Sequence, residues 1–217
     1  MADRALPRLE AVGRPPASTA GAVVVLHGGS ETSRGSAGHR GAAYLRMLPL
    51  ARMLARRGRR AGAQVYLLRY RYRGWNEPER DPVQDTRWAL RELAARHPGL
   101  PIVLVGHSMG GRAALQAAGT PGVVAVCALA PWVVATDPVD QLAGRTVLIA
   151  HGDRDTRTDP RESLAYARRA AEVADHVEYR EVRGAGHAML RRAREWNALV
   201  RRFVLGVLGR DPDAVRP

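Results

Sequence analysis

The 217-residue chain contains no lysine, so all 34 of its basic residues are arginine. Other residue types are nearly missing too: asparagine occurs only at Asn76 and Asn197, isoleucine only at Ile102 and Ile149, and phenylalanine only at Phe203. All of these have A/T-rich codons, so a GC-rich genome accounts for the bias without any function attached to it. The single cysteine, Cys127, has no partner within the chain, which excludes an internal disulfide framework and a cysteine-based metal site. It lies inside the apolar run "VVAVCALA" and reads as a small buried hydrophobe. No apolar stretch approaches the ~20 residues needed to span a bilayer. The opening residues, "MADRALPRLEAVGRPPAST", carry acids and prolines where a secretory leader needs an uninterrupted apolar core. The expectation is a soluble, cytoplasmic protein with no membrane partner.

The length fits one domain over residues 1–217, with 1–20 as an N-terminal extension and 209–217 as a C-terminal tail. Hydrophobic residues make up 46% and charged residues 25%, enough of each for a buried core under a polar surface. A formal net charge of +13 invites a nucleic-acid reading. Arginine pairs such as those in "ARRGRR" and "ARRA" fall on helix-like segments, however, where an arginine usually belongs to a solvated face. No specific nucleic-acid partner is expected, and the oligomeric state stays open.

Strand and helix patterns alternate along the chain. Strands are expected at Ala22–Leu26, Gln64–Tyr70, Ile102–Val105, Val123–Leu129, Thr146–Ala150 and Val177–Val182. Helices are expected near Tyr44–Arg57, Val83–Arg96, Met109–Ala118, Arg161–Ala174 and Ala193–Leu208. Largely apolar strands, each followed by a helix, imply an α/β fold with a mostly parallel sheet and helices on both faces.

Within this pattern "IVLVGHSMGGRAALQAA", residues 102–118, runs from a strand into a helix through a serine fenced by glycines. A residue at so sharp a turn adopts a strained backbone, and bulky neighbours two positions away on either side would collide. Gly106 and Gly110 occupy those two positions, so "GHSMG" holds the Ser108 hydroxyl clear of the sheet edge. The Met109 amide starts the helix, where the positive end of the dipole favours an oxyanion.

A serine nucleophile needs a base, and the base needs an orienting carboxylate. The strand "TVLIA" runs into "HGDRD", placing Asp153 and Asp155 in one loop, and "VEYREV" runs into "RGAGH", placing His187 in another. All lie at carboxyl ends of strands, the edge where parallel sheets gather their active sites. The chain order is Ser, Asp, His.

With four motifs in order, "LHGGS", "GHSMGG", "HGDRD" and "GAGH", the sequence resembles the α/β-hydrolases over residues 21–208. The resemblance implies Asp155 as the acid and Asp153 as a turn former, and it implies the Gly29 amide as the second oxyanion donor. His27, His107 and His151 would then brace loops. His39, His97 and His176 fall in surface-like contexts, and none of the histidines has metal-ligand spacing, so neither metal nor cofactor is expected. Only 15 residues, "PWVVATDPVDQLAGR", fill the gap in which many members of that family carry a helical cap. The site is therefore expected to be capless and open, as in small esterases and dienelactone-hydrolase-like proteins, although dienelactone hydrolases proper carry cysteine where Ser108 stands. The first 20 residues leave room for at most one of the family's two leading strands. Trp132 and Trp75 are candidate walls of a substrate pocket. The expected activity is hydrolysis of a small-molecule carboxylic ester through an acyl-enzyme. Thioester or amide cleavage, acyl transfer, and a non-catalytic basic binding role are the alternatives.

Overall fold

The computed structural model describes residues 6–209; the expected tail beyond 209 lies outside the described residues. Among the described residues seven strands form one sheet: β1 (Arg8–Val12), β2 (Gly21–Leu26), β3 (Ala63–Arg69), β4 (Ile102–His107), β5 (Val123–Leu129), β6 (Thr146–Gly152) and β7 (His176–Val182). Their spatial order is β1-β3-β2-β4-β5-β6-β7. Only β1 runs antiparallel, pairing Arg8 with Arg69 and Val12 with Val65. This is the one leading strand for which the sequence left room. Its side chains "RLEAV" are exposed or half-buried, so the backbone ladder rather than a hydrophobic run fixes it in place.

Five helices among the described residues cover the sheet: α1 (Ala42–Gly58), α2 (Asp81–Arg96), α3 (Met109–Ala117), α4 (Pro160–Ala170) and α5 (Ala193–Leu208). Alternate residues of each central strand enter opposite cores. From β2, Ala22, Val24 and Leu26 face a core built with α2, α3 and α4. Val23 and Val25 face one built with α1 and α5. Burial on both sides explains why these strands read as unbroken apolar runs. Cys127 is fully buried in β5, and burial pushes its thiol pKa far up, so it serves as packing. The edge strand β7 instead carries Glu178, Arg180 and Glu181, charges that discourage pairing with another chain.

The helix expected over 161–174 ends at Ala170. The following residues turn aside so that Ala174 bridges Ala143 and Val173 packs on the core, which a straight helix would not allow. Between β5 and β6 the chain makes only a short excursion with a single 3-10 turn at Asp140–Leu142, so no helical cap is inserted there. Among the described residues no helix is long and apolar enough to cross a membrane.

Candidate active site

The connection from β4 to α3 places Ser108 at φ +57° and ψ −120°, a conformation costly for a residue with a side chain. The flanking glycines make it possible. A Cβ on Gly110 would come within 2.5 Å of the His27 carbonyl oxygen, and one on Gly106 would collide with the Gly110 backbone. Ser108 is itself anchored, its amide donating to the Leu129 carbonyl and its carbonyl accepting from the Arg112 and Trp132 amides.

The loops after β6 and β7 bring the other two residues to this point. His187 Nε2 lies 3.0 Å from Ser108 Oγ, and His187 Nδ1 lies 2.8 Å from Asp155 Oδ2. A carboxylate only accepts, so Nδ1 carries the proton and Nε2 is left as the acceptor facing the serine hydroxyl. Asp155 is buried, which by itself would raise its pKa. Hydrogen bonds from His151, His187 and the Arg157 and Thr158 amides outweigh that and hold the carboxyl well below the usual carboxylate range. Asp153 sits differently: it is exposed and accepts a hydrogen bond from the Gly184 amide, tying the β6 loop to the β7 loop.

The three strand-end histidines brace their loops. His151, with no exposed surface, donates from Nε2 to Asp155 Oδ2 at 3.1 Å, and its Nδ1 faces the Ser163 hydroxyl at 2.8 Å. His107 Nε2 donates to the His187 carbonyl at 2.8 Å, connecting the serine turn to the histidine loop. Burial, reinforced by the neighbouring His187, lowers the His107 pKa to about 3, and burial lowers that of His27 to about 4. Both rings are therefore neutral near pH 7.

The residue that sequence reasoning missed is Thr158. Its hydroxyl lies 2.9 Å from Asp155 Oδ2, 3.1 Å from His187 Nδ1 and 3.2 Å from His151 Nε2. It shares with Asp155 the turn "DTRT", in which Asp155 Oδ1 accepts the Thr158 amide, and that aspartate-capped turn was the available signal.

Gly28 lies against Ser108, and Gly29 lies against the Met109 side chain, so the loop after β2 borders the serine. Neither the Gly29 nor the Met109 amide is engaged by another group among the described residues. A cleft of about 450 Å³ with a mixed polar and apolar lining follows this loop, bordered by Gly28, Gly29, Ser30, Ala42, Tyr44 and Arg73. A smaller, more apolar depression of about 120 Å³ lies beside the residues after His187, lined by Leu129, Met189, Leu190 and Trp196.

The two tryptophans separate. Trp132 is half-buried, and its amide contacts the Ser108 carbonyl, so it borders the site. Trp75 has no exposed surface and does not line a pocket. Its indole packs edge-on to Trp132, and the Arg112 guanidinium lies 4.3 Å from the Trp75 ring and 4.8 Å from the Trp132 ring. Arg112 is held bidentately by Asp137 at 2.8 Å for both bonds, and Gln116 donates to the same carboxylate. This buried cluster made Trp75 a core residue, and it involves partners too distant in sequence to be paired beforehand. Among the described residues no group of three or more His, Cys, Asp or Glu side chains is arranged so that it could hold a metal ion.

The chain belongs to the α/β-hydrolase family, whose model matches residues 23–216. No curated protein sequence matches it. Among solved structures it is similar to an α/β serine hydrolase homologue from Coxiella burnetii, at 18% identity over 90% of this chain and 89% of that one, with a TM-score of 0.67. It is also similar to a Xanthomonas campestris α/β serine hydrolase described as lacking a lid, at 17% identity, 89% and 85% coverage and a TM-score of 0.64. A third likeness is to a Thermogutta terrifontis esterase solved with butyrate bound, at 16% identity, 96% and 91% coverage and a TM-score of 0.68.

Proposed function

We propose that this protein is a serine hydrolase that cleaves carboxylic esters of small to moderate acyl size. The observation that carries the reading is the chain of contacts from Ser108 Oγ through the His187 ring to Asp155 Oδ2, at 3.0 and 2.8 Å. Membership of the α/β-hydrolase family supports it, as does the likeness to an esterase solved with butyrate bound.

In this reading His187 Nε2 takes the hydroxyl proton while Ser108 Oγ bonds to the ester carbonyl carbon. The oxyanion that forms is met by the Gly29 and Met109 amides, and Asp155 stabilises the imidazolium. The tetrahedral intermediate collapses as the C–O bond to the alcohol breaks and His187 returns its proton to the departing oxygen. Water then attacks the acyl-serine with His187 again as base, releasing the acid and restoring Ser108. Thr158 and His151 are positioning residues that hold the carboxylate and its charge. The short, uncapped β5–β6 excursion leaves the serine reachable from solvent, and half-buried Trp132 forms part of the substrate wall.

A series of p-nitrophenyl esters from acetate to long-chain acyl tests the reading. Turnover is expected to be highest for short to medium chains, with a burst of p-nitrophenol and loss of turnover in Ser108→Ala. Turnover of the series that survives in a correctly folded Ser108→Ala would overturn it.

A further inference from the structure

The run "ARRGRR" at residues 55–60 has no part in the proposed chemistry. It closes α1 and forms the 3-10 turn Arg59–Ala61 before β3. Since α1 returns from the carboxyl edge of the sheet to the edge where β3 begins, this run stands at the edge opposite Ser108. There Arg52, Arg56, Arg57, Arg59 and Arg60, joined by Arg14 from the turn after β1, line one concavity of about 750 Å³ with Gly13 and Ala55.

Composition alone does not produce this arrangement. At the whole-chain ratio of 34 arginines to 21 acids, six arginines would bring about four carboxylates with them, and the lining contains none. All six are exposed, and none makes an ion pair or a side-chain hydrogen bond among the described residues. Arginines elsewhere do find acids: Arg96 pairs with Glu92, Arg80 with Glu77, and Arg202 with Glu178. The negative end of the α1 dipole accounts for Arg56 and Arg57 in its last turn and for Arg59 at its C-cap, but not for Arg14 and Arg52.

Six guanidinium groups without acidic partners around one hollow repel one another, and a multivalent anion relieves that repulsion. Guanidinium matches phosphate oxygens in two-point hydrogen bonds, which makes phosphate the fitting chemistry. We propose that the concavity binds a compact ligand carrying several phosphates, of the class of a short polyphosphate or nucleoside triphosphate, at a site separate from Ser108. A duplex needs a continuous basic track. The neighbouring arginines of α5 do not provide it, because Arg202 is tied to Glu178 and Glu195 shares the depression with Arg201.

Calorimetric titration of the full chain with inorganic tripolyphosphate at ~0.15 M salt tests the proposal. Saturable one-site binding is expected. The variant Arg56→Gln/Arg57→Gln/Arg59→Gln/Arg60→Gln should weaken it at least about tenfold. A second variant, Arg59→Gln/Arg60→Gln, changes only the turn outside α1 and should weaken it in the same direction. A control, Arg87→Gln/Arg91→Gln/Arg161→Gln/Arg168→Gln, removes the same charge from exposed positions of α2 and α4 and should bind like the parent. Absence of saturable binding, equal losses in cluster and control variants, or tighter binding of a duplex DNA oligomer than of tripolyphosphate would each overturn it.

Discussion

Asp155 and Asp153 lie two residues apart, yet the structure gives them different work. Asp155 accepts from His187, His151, Thr158 and two amides, whereas Asp153 holds the Gly184 amide at the surface. Asp155→Asn should therefore lower kcat on the order of 10⁴-fold, because the amide side chain favours the wrong imidazole tautomer. Asp153→Asn should leave kcat within a few-fold and act mainly on loop stability. Steady-state kinetics of both variants check this, and a larger kcat loss at position 153 would reverse the assignment. At this scale the sequence was most legible where geometry forces a residue type: glycines around Ser108, and an acid and a histidine at strand ends. Thr158 escaped because a threonine hydroxyl marks a site only through its neighbours, and two of them, His151 and His187, meet it only after the fold forms. Trp75 misled for the same reason, since its burial depends on Arg112, which comes 37 positions later.

At the scale of elements, the short β5–β6 excursion depends on one buried cluster to hold its shape. Asp137 anchors it by accepting from Arg112, Gln116 and the Val134 amide, while Arg169 on α4 donates to the Asp137 carbonyl. The pair is nearly inaccessible, with side-chain exposures of 7% for Arg112 and 4% for Asp137. Asp137→Ala leaves a buried guanidinium unpaired and should cost about 3–5 kcal/mol of stability. It should also loosen Trp132, so KM for an aryl ester rises more than kcat falls. Chemical denaturation together with kinetics reads both effects, and a stability change under ~1 kcal/mol would contradict the role given to the cluster. Helix and strand positions were largely legible because the central strands are buried on both faces and the helices keep one apolar side. The exceptions follow from the same physics. β1 is held by its backbone and carries mixed side chains, and the end of α4 is set by the Ala143–Ala174 bridge rather than by any local stop residue.

At the scale of the whole molecule, acid stability follows from groups buried in uncharged form. His27 and His107 have folded pKa values lowered to about 4 and about 3. Between about pH 6.5 and 4 the unfolded chain binds protons on them that the folded chain does not, so stability falls as pH falls, by up to about 1.4 kcal/mol per unit for each. Asp85 is pushed up to about 6 by burial, against its hydrogen bonds from Arg71. It gains a proton in the folded state first and offsets roughly one histidine from about pH 6 down to 4. Urea denaturation across this range should show a net loss on acidification, and His107→Asn should nearly flatten it; stability that rises towards pH 4 would contradict the account. The arginine-rich surface enters differently. Turnover of a neutral ester should barely change with ionic strength, because the reacting groups attract no distant charge. Duplex DNA binding should be weak and vanish with added salt.

The central claim, that Ser108 is a nucleophile activated by His187, is tested most directly by covalent labelling. A fluorophosphonate probe followed by intact-mass analysis and peptide mapping should show one adduct per chain, on Ser108, that is absent in Ser108→Ala and slowed by orders of magnitude in His187→Ala. An adduct on another residue, or unchanged labelling of Ser108→Ala, would contradict it.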